Sequence, residues 1–146
     1  QTYGQQQLQT FLRAVDTLII AVPELPETNN LIGESELEIL GKESVLVNVA
    51  RGKVVNEEAL YKALKSKQIA AAGIDVWYEY QPEADQDGRK FPYHFPFHEL
   101  EHVAMSPHRG GSPLQDLYRW QEVFENIRRF RAGQELRNVV DLELGY

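Results

Sequence analysis

The stretch from Leu46 to Leu64, LVNVARGKVVNEEALYKAL, restricts the fold of this chain more than any other. Residues 45–49 form a short apolar run of the kind a buried strand needs, and the run breaks at Ala50-Arg51-Gly52. A second pattern starts at Asn56, a good helix N-cap. Glu57 and Glu58 complement the positive end of that helix, and Lys62 and Lys65 its negative end. Leu60, Ala63 and Leu64 supply the i, i+3, i+4 stripe that faces a core. The segment reads as strand, short loop and helix, with one arginine beside one glycine in the loop. Ligands of open parallel sheets bind beyond the carboxyl ends of the strands, where Arg51 would stand. A surface arginine that merely follows a strand has the same local pattern, and this stretch leaves both readings open.

The rest of the chain continues the alternation. Leu8, Phe11 and Leu12 predict a helix over residues 5–14, and an apolar strand follows over 17–22, ended by Pro23 and Pro26. Ser35 with Glu38 predicts a capping box for a helix over 36–40, closed by Gly41. A third strand is predicted over 69–74, whose small residues Ala70, Ala71, Ala72 and Gly73 suit a helix packed close to the sheet, and a fourth over 102–106. Ser112, Pro113 and Gln115 then open a long helix striped by Leu117, Trp120, Phe124 and Ile127 and ended by Gly133. Glu125 is placed to reach Arg129 there.

Strands alternating with helices, rich in Val, Ile, Leu and Ala, predict an α/β fold with a mainly parallel sheet. Parallel strands would align Val22-Pro23, Ala50-Arg51, Asp75 and Pro107-His108 along one edge. That convergence carries more weight than any single residue. At 146 residues the chain suffices for one domain with a core and is short for a doubly wound fold plus a second domain. A net charge of −7 argues against a general nucleic-acid surface, and no apolar run approaches the length of a membrane span. The lack of cysteine fits a cytoplasmic location.

Four motifs in order, DTLIIAVPELPETNNLIG, LVNVARGKVVNEEAL, AAGIDVW and VAMSPHRGG, resemble the D-isomer-specific 2-hydroxyacid dehydrogenases over nearly the whole chain. The resemblance implies a Rossmann-like sheet flanked by helices, a partial nucleotide-binding domain, and NAD as cofactor with NADP left open. It implies hydride transfer between the nicotinamide and a 2-keto or D-2-hydroxy acid, in a homodimer. Arg51 matches the family arginine that holds the substrate carboxylate, a task suited to a planar, permanently charged guanidinium. His108 matches the histidine that exchanges a proton with the carbonyl oxygen, and Asp75 the aspartate that fixes the nicotinamide carboxamide. Val22, Pro23, Val49, Ala50 and Gly110 match positions lining the cofactor.

Two departures from the family pattern stand out. The family has a glutamate, followed by proline, five residues after the aspartate, where it hydrogen-bonds the histidine and favours its charged form. This chain has Tyr80 there, with Glu79 before it and Gln81-Pro82 after it. Glu79 is the expected partner of His108 and a catalytic residue, with Gln81 its rival. The other departure is that no G-x-G-x-x-G follows an opening strand. The expectation is the C-terminal portion of a larger enzyme. Residues 1–133 would belong to the second half of the NAD-binding domain, and 134–146 to a tail returning to the substrate domain. Such a piece alone should bind cofactor poorly.

Two further readings compete with this one. His98-Glu99-Leu100-Glu101-His102 spells the H-E-x-x-H of zinc peptidases, with Glu122 downstream as a possible third ligand. That chemistry needs both histidines on one stable helix, and Pro96 before the pair and a strand after it leave about one turn. A non-catalytic, dehydrogenase-like dimerising or regulatory module would keep the same site residues. The loop over residues 77–101 is long and holds Tyr78, Tyr80, Phe91, Tyr93, Phe95 and Phe97, too many aromatics for a solvated loop. It is expected to cover the site or a subunit interface.

Overall fold

Four short aliphatic runs pair side by side in chain order, and every pair is parallel. The computed structural model describes residues 1–111 and 116–143, in two compact units, Gln1–His108 and Arg109–Tyr146. In the first unit, a 3-10 turn (Gln5–Gln7) and helix α1 (Leu8–Leu12) precede β1 (Thr17–Ile20). Helix α2 (Glu34–Leu40) leads to β2 (Val45–Asn48), and a 3-10 turn (Gly52–Val54) with α3 (Glu57–Lys65) leads to β3 (Ala71–Ile74). A long loop containing a 3-10 turn (Phe97–Glu99) then reaches β4 (Val103–Met105).

The register runs straight across: Ile20 pairs with Asn48, Asn48 with Ile74, and Ile74 with Met105. All four carboxyl ends therefore finish level, which is what places a shared site along one edge. Side chains alternate along each strand, so Leu18, Ile20, Leu46, Asn48, Ala72 and Ile74 share one buried face. They join Leu37 and Leu40 of α2 and Leu60, Tyr61, Ala63 and Leu64 of α3 in one core. A fully buried leucine or isoleucine contributes about 1.5–3 kcal/mol. The opposite face is open, with Ile19 64% exposed.

The Asn56 cap forms as read: its Oδ1 accepts the Ala59 N–H at 3.0 Å. The cap of α2 differs from the sequence expectation. The helix starts at Glu34 after Gly33, and Glu36 accepts the Gly33 N–H at 3.1 Å, while Ser35 lies inside the first turn and its hydroxyl donates to Glu36. Glu36 thus satisfies the helix start that Ser35 and Glu38 were expected to close. Gly41 ends that helix with φ +86°, a conformation glycine adopts without a Cβ penalty. The helix expected over 5–14 splits into a 3-10 turn and five α-helical residues. All four strands are shorter than their apolar runs: β1 and β2 lose the last residues to loops, β3 the first two, and β4 one at each end. Ser112, Pro113 and Gln115 lie outside the described residues.

The aromatic loop packs onto the core. Phe97 is fully buried, Phe95 stacks on Tyr61 of α3 at 5.3 Å between centroids, and Tyr93 lies 5.1 Å from Trp77. Tyr78 and Glu79 both donate backbone N–H groups to the Pro92 carbonyl, closing the loop at its base. Glu57 does more than complement the start of α3. Its carboxylate accepts both the His94 backbone N–H and the His94 Nδ1–H, the latter at 2.8 Å.

The H-E-x-x-H residues form a single 3-10 turn and the approach to β4. His98 Nδ1 shares a hydrogen bond with the Tyr93 hydroxyl at 3.0 Å, and His102 Nε2 donates to the Leu64 carbonyl at 2.9 Å. The rings are directed to different partners, so the helical zinc geometry does not arise. Among the described residues no His/Asp/Glu cluster is set to hold a metal ion, and no helix is long and apolar enough to cross a membrane.

The second unit is α4 (Asp116–Arg131) with the chain that follows. Glu125 accepts from both Arg128 and Arg129, and these hydrogen bonds hold its carboxyl below the usual carboxylate range. The Asn126 carboxamide bonds the Arg137 backbone in both directions, and Arg129 donates to the Glu135 carbonyl. Residues 134–137 therefore fold back along α4.

The His94–Glu57 contact has a pH signature. The hydrogen bond and charge of Glu57 raise the His94 pKa above its ordinary value, with a smaller push from Glu79. A raised folded value means that the stabilisation is fully present below the unfolded pKa of about 6.5 and is lost as pH rises through the folded one. In Glu57→Gln, the His94 ring titration followed by NMR should move down towards its ordinary midpoint. The melting-temperature gap between wild type and variant should narrow from mildly acidic to alkaline pH. An unmoved midpoint would contradict the contact.

Candidate functional site

Beyond its last paired residue each strand becomes irregular chain, whose free N–H and C=O groups need new partners. After β1 the chain leaves through Val22-Pro23. The Thr28 hydroxyl donates to the Pro23 carbonyl at 2.7 Å and accepts the Leu25 N–H at 2.8 Å, closing that turn. After β2 the corresponding device is Asn48. Only 1% exposed, it accepts the Ala50 N–H through Oδ1 and donates from Nδ2 to the Arg51 carbonyl, each at 3.0 Å. Its own carbonyl accepts the Asp75 N–H at 3.0 Å. One buried residue therefore shapes the Arg51 loop and also ties it to the end of β3.

Arg51 itself is exposed, with Nη1 donating to the Ala50 carbonyl at 2.7 Å. Among the described residues no carboxylate lies within ion-pair distance of it, so the guanidinium keeps its capacity for an incoming anion. Gly52 is glycine for a steric reason. A Cβ there would lie 2.3 Å from the Trp77 carbonyl oxygen, far inside contact distance. The backbone after β3 rests directly on the Arg51 loop.

Asp75 is 7% exposed at the end of β3. With Val49, Gly73, Met105 and Ser106 it lines a hollow of about 190 Å³ on the open side of the sheet. The missing side chain at Gly73 deepens it, and Val22, Val49 and Met105 offer exposed apolar surface at the strand ends. The hollow has a mainly apolar floor with one buried carboxylate at its rim. Nothing in the sequence supplies a glycine-rich pyrophosphate cradle.

The Trp77 indole Nε1–H donates to the Ser106 carbonyl at 2.9 Å, joining the ends of β3 and β4. His108 follows two residues later with φ +57°, in the left-handed region that a histidine enters at a cost. The side chain against its ring is Tyr80, at 5.6 Å between centroids and tilted by 40°. The hydrogen bond expected from Glu79 or Gln81 is not made here. Glu79 and Gln81 are exposed, Glu79 Oε1 accepts the Gln81 N–H at 3.0 Å, and among the described residues neither side chain hydrogen-bonds His108. The additional residue before Pro82 leaves Tyr80 facing the ring and turns Glu79 back onto its own loop. Gly110 belongs to the second unit.

The structure thus brings Val49, Ala50, Arg51, Asp75 and His108 to one edge, with Val22 and Pro23 at the neighbouring strand end. Sequence reasoning missed Thr28, Asn48, Trp77 and Tyr80. Asn48 had a usable signal: a carboxamide inside an apolar strand run must be bonded if buried. Trp77 had none, because its partners Gly52 and Ser106 are distant in sequence.

Comparisons with known proteins agree with this architecture. The family model described as D-isomer specific 2-hydroxyacid dehydrogenase, NAD binding domain, matches residues 1–110. A glyoxylate reductase of Korarchaeum cryptofilum is 37% identical over 138 residues, covering 94% of this chain and 39% of the reductase. A D-3-phosphoglycerate dehydrogenase of Escherichia coli is 36% identical over 132 residues, 90% of this chain and 29% of that enzyme. Among solved structures, a D-isomer specific 2-hydroxyacid dehydrogenase from Xanthobacter autotrophicus Py2, crystallised with NADPH and MES, superposes with a TM-score of 0.84 at 33% identity. That match covers 99% of this chain and 56% of the other. The chain spans about two fifths or less of the length of these curated relatives.

Asn48 provides a direct test of how the edge is held. Asn48→Ala strands the Ala50 N–H and the Arg51 carbonyl, each of which costs about 1–3 kcal/mol when left unpaired in a buried place. Urea denaturation should show a loss of about 2–4 kcal/mol. A loss within about 0.5 kcal/mol, the range of an ordinary surface substitution, would contradict the assigned role.

Proposed function

The chain belongs to the D-isomer specific 2-hydroxyacid dehydrogenases, and we propose that in the whole protein it supplies the nicotinamide side of a 2-keto acid reductase. The observation that carries this reading is the meeting of Arg51, Asp75 and His108 on one level sheet edge, with the guanidinium free of carboxylate partners among the described residues. The names of the matched relatives support a small substrate such as glyoxylate or a hydroxy acid bearing a phosphate. NAD or NADP serves as cofactor, and the whole protein acts in the cytoplasm as a homodimer.

Asp75 would hold the carboxamide of the nicotinamide, with Val22, Pro23, Val49 and Ala50 against its ring and ribose. When bound, the reduced nicotinamide supplies the hydride that the carbonyl carbon receives. Arg51 grips the substrate carboxylate through paired N–H donors and so fixes which face of the carbonyl is presented. His108 gives its proton to the carbonyl oxygen as that oxygen gains charge, and takes it back when the hydroxy acid is oxidised. The tail beyond residue 133 would return towards a substrate-binding domain.

One observation favours a second reading, a nucleotide-sensing module without turnover: no Glu79 or Gln81 side chain orients His108. Assaying the whole protein with glyoxylate and hydroxypyruvate separates the two. Oxidation of reduced nicotinamide supports the enzyme, and stoichiometric nucleotide binding without turnover supports the module. Within the enzyme reading, Arg51→Lys keeps the charge and loses the two-pronged grip. It should raise KM and cut kcat/KM by roughly a hundredfold, about 2.7 kcal/mol. Unchanged steady-state kinetics would remove Arg51 from the site. Glu79→Gln should leave kcat within about twofold, since among the described residues that carboxylate makes no hydrogen bond to the imidazole; a loss of about tenfold or more would restore Glu79 as its partner.

A further inference from the structure

Arg51 and His108 follow β2 and β4, which do not pair with each other, because β3 lies between them. Their separation therefore depends on whatever spans the crest of the sheet. The continuation of β3 does so, through a single residue. The Trp77 carbonyl rests against Gly52, so closely that a Cβ there would sit 2.3 Å from the oxygen and 2.5 Å from the carbon. The Trp77 indole donates to the Ser106 carbonyl at 2.9 Å, two residues before His108. The Trp77 backbone N–H points to the Tyr80 hydroxyl at 3.4 Å, and the Tyr80 ring lies against His108. Trp77 is 6% exposed, and its ring is wedged by Tyr93 at 5.1 Å and Phe97 at 6.4 Å between centroids.

We propose that Trp77 is a positioning residue, a rigid strut that sets the distance between the Arg51 loop and the His108 loop. The proposal rests on the reading of Arg51 and His108 as carboxylate anchor and proton donor. Both must reach one small substrate at once, and a misplacement of about 1 Å can cost on the order of a hundredfold in rate. The contact with Gly52 is made by the backbone and survives any side-chain change at residue 77. The contact with Ser106 is made by the indole N–H alone. Loss of that N–H therefore frees the His108 side while the Arg51 grip stays, which separates kcat from KM.

The test uses the whole protein, reduced nicotinamide nucleotide and glyoxylate. Trp77→Phe keeps an aromatic ring between Tyr93 and Phe97 but has no N–H for Ser106. It should lower kcat about ten- to a hundredfold with KM within about twofold, and leave the nucleotide Kd unchanged. Tyr80→Phe, at an exposed position, should lower kcat severalfold in the same pattern. His108→Gln is the control for the underlying reading: turnover at the wild-type rate there overturns that reading and this proposal with it. If His108→Gln is impaired while Trp77→Phe and Tyr80→Phe keep wild-type kcat, the strut is overturned and the site assignment stands. A Trp77→Phe that raises KM in step with its loss of kcat marks a general structural role and also overturns the strut. If circular dichroism shows Trp77→Phe unfolded, benzothienylalanine incorporated at position 77, which keeps the bicyclic ring without its N–H, decides: lowered kcat at constant KM supports the proposal, and wild-type kcat overturns it.

Discussion

The carboxamide of Asn48 holds the active edge of this sheet together. A parallel strand that ends at a binding site must release its backbone into a loop, and that loop has unpaired N–H and C=O groups in a place largely shut off from water. Asn48 answers both with one side chain, accepting from Ala50 and donating to Arg51, while its main chain stays in the ladder with Asp75. Thr28 performs a similar service after β1, and the Trp77 indole joins the ends of β3 and β4. The candidate site residues are thus supported by polar contacts just beneath them. Charge and hydrogen-bonding capacity are left at the crest, where Arg51 and His108 are exposed.

Much of the fold could be read from local pattern, because its determinants are local. The strand, loop and helix around Arg51 follow from an apolar run, a Gly and an Asn N-cap, and all three form where expected. Parallel strands align their carboxyl ends, so the pattern of the sequence already places Arg51, Asp75 and His108 along one edge, and the register agrees. The start of α2 was misplaced because Gly33 and Ser35 both suit a helix start and only the Glu36 contact decides between them. The aromatic loop was illegible for another reason. Its fate depends on Tyr61 and Glu57, which lie on α3, and local sequence says nothing about which distant surface an aromatic will meet. His98 and His102 illustrate the converse: a sequence string identical to a zinc motif, with no helix to give the string its geometry.

Different contacts hold the two loops that carry Arg51 and His108. The Arg51 loop is clamped from below by Asn48 and from the side by the Trp77 backbone, which suits the role proposed for Arg51, holding a carboxylate in one orientation. The His108 loop rests on the indole and the Tyr80 ring, with the histidine itself in a left-handed backbone conformation. Positive φ in a non-glycine residue is retained where its surroundings over-determine it, and such positions cluster at functional sites. The hollow beside Asp75 completes the arrangement with an apolar floor.

The most direct test is a crystal structure of the whole protein with a nicotinamide nucleotide and oxamate, a stable mimic of a small 2-keto acid. The account predicts oxamate at the carboxyl edge, its carboxylate taking paired N–H donors from Arg51 and its amide oxygen within hydrogen-bonding reach of His108. The nicotinamide carboxamide should meet Asp75. Oxamate bound away from Arg51, or Arg51 found paired with a carboxylate of the protein itself, would contradict it.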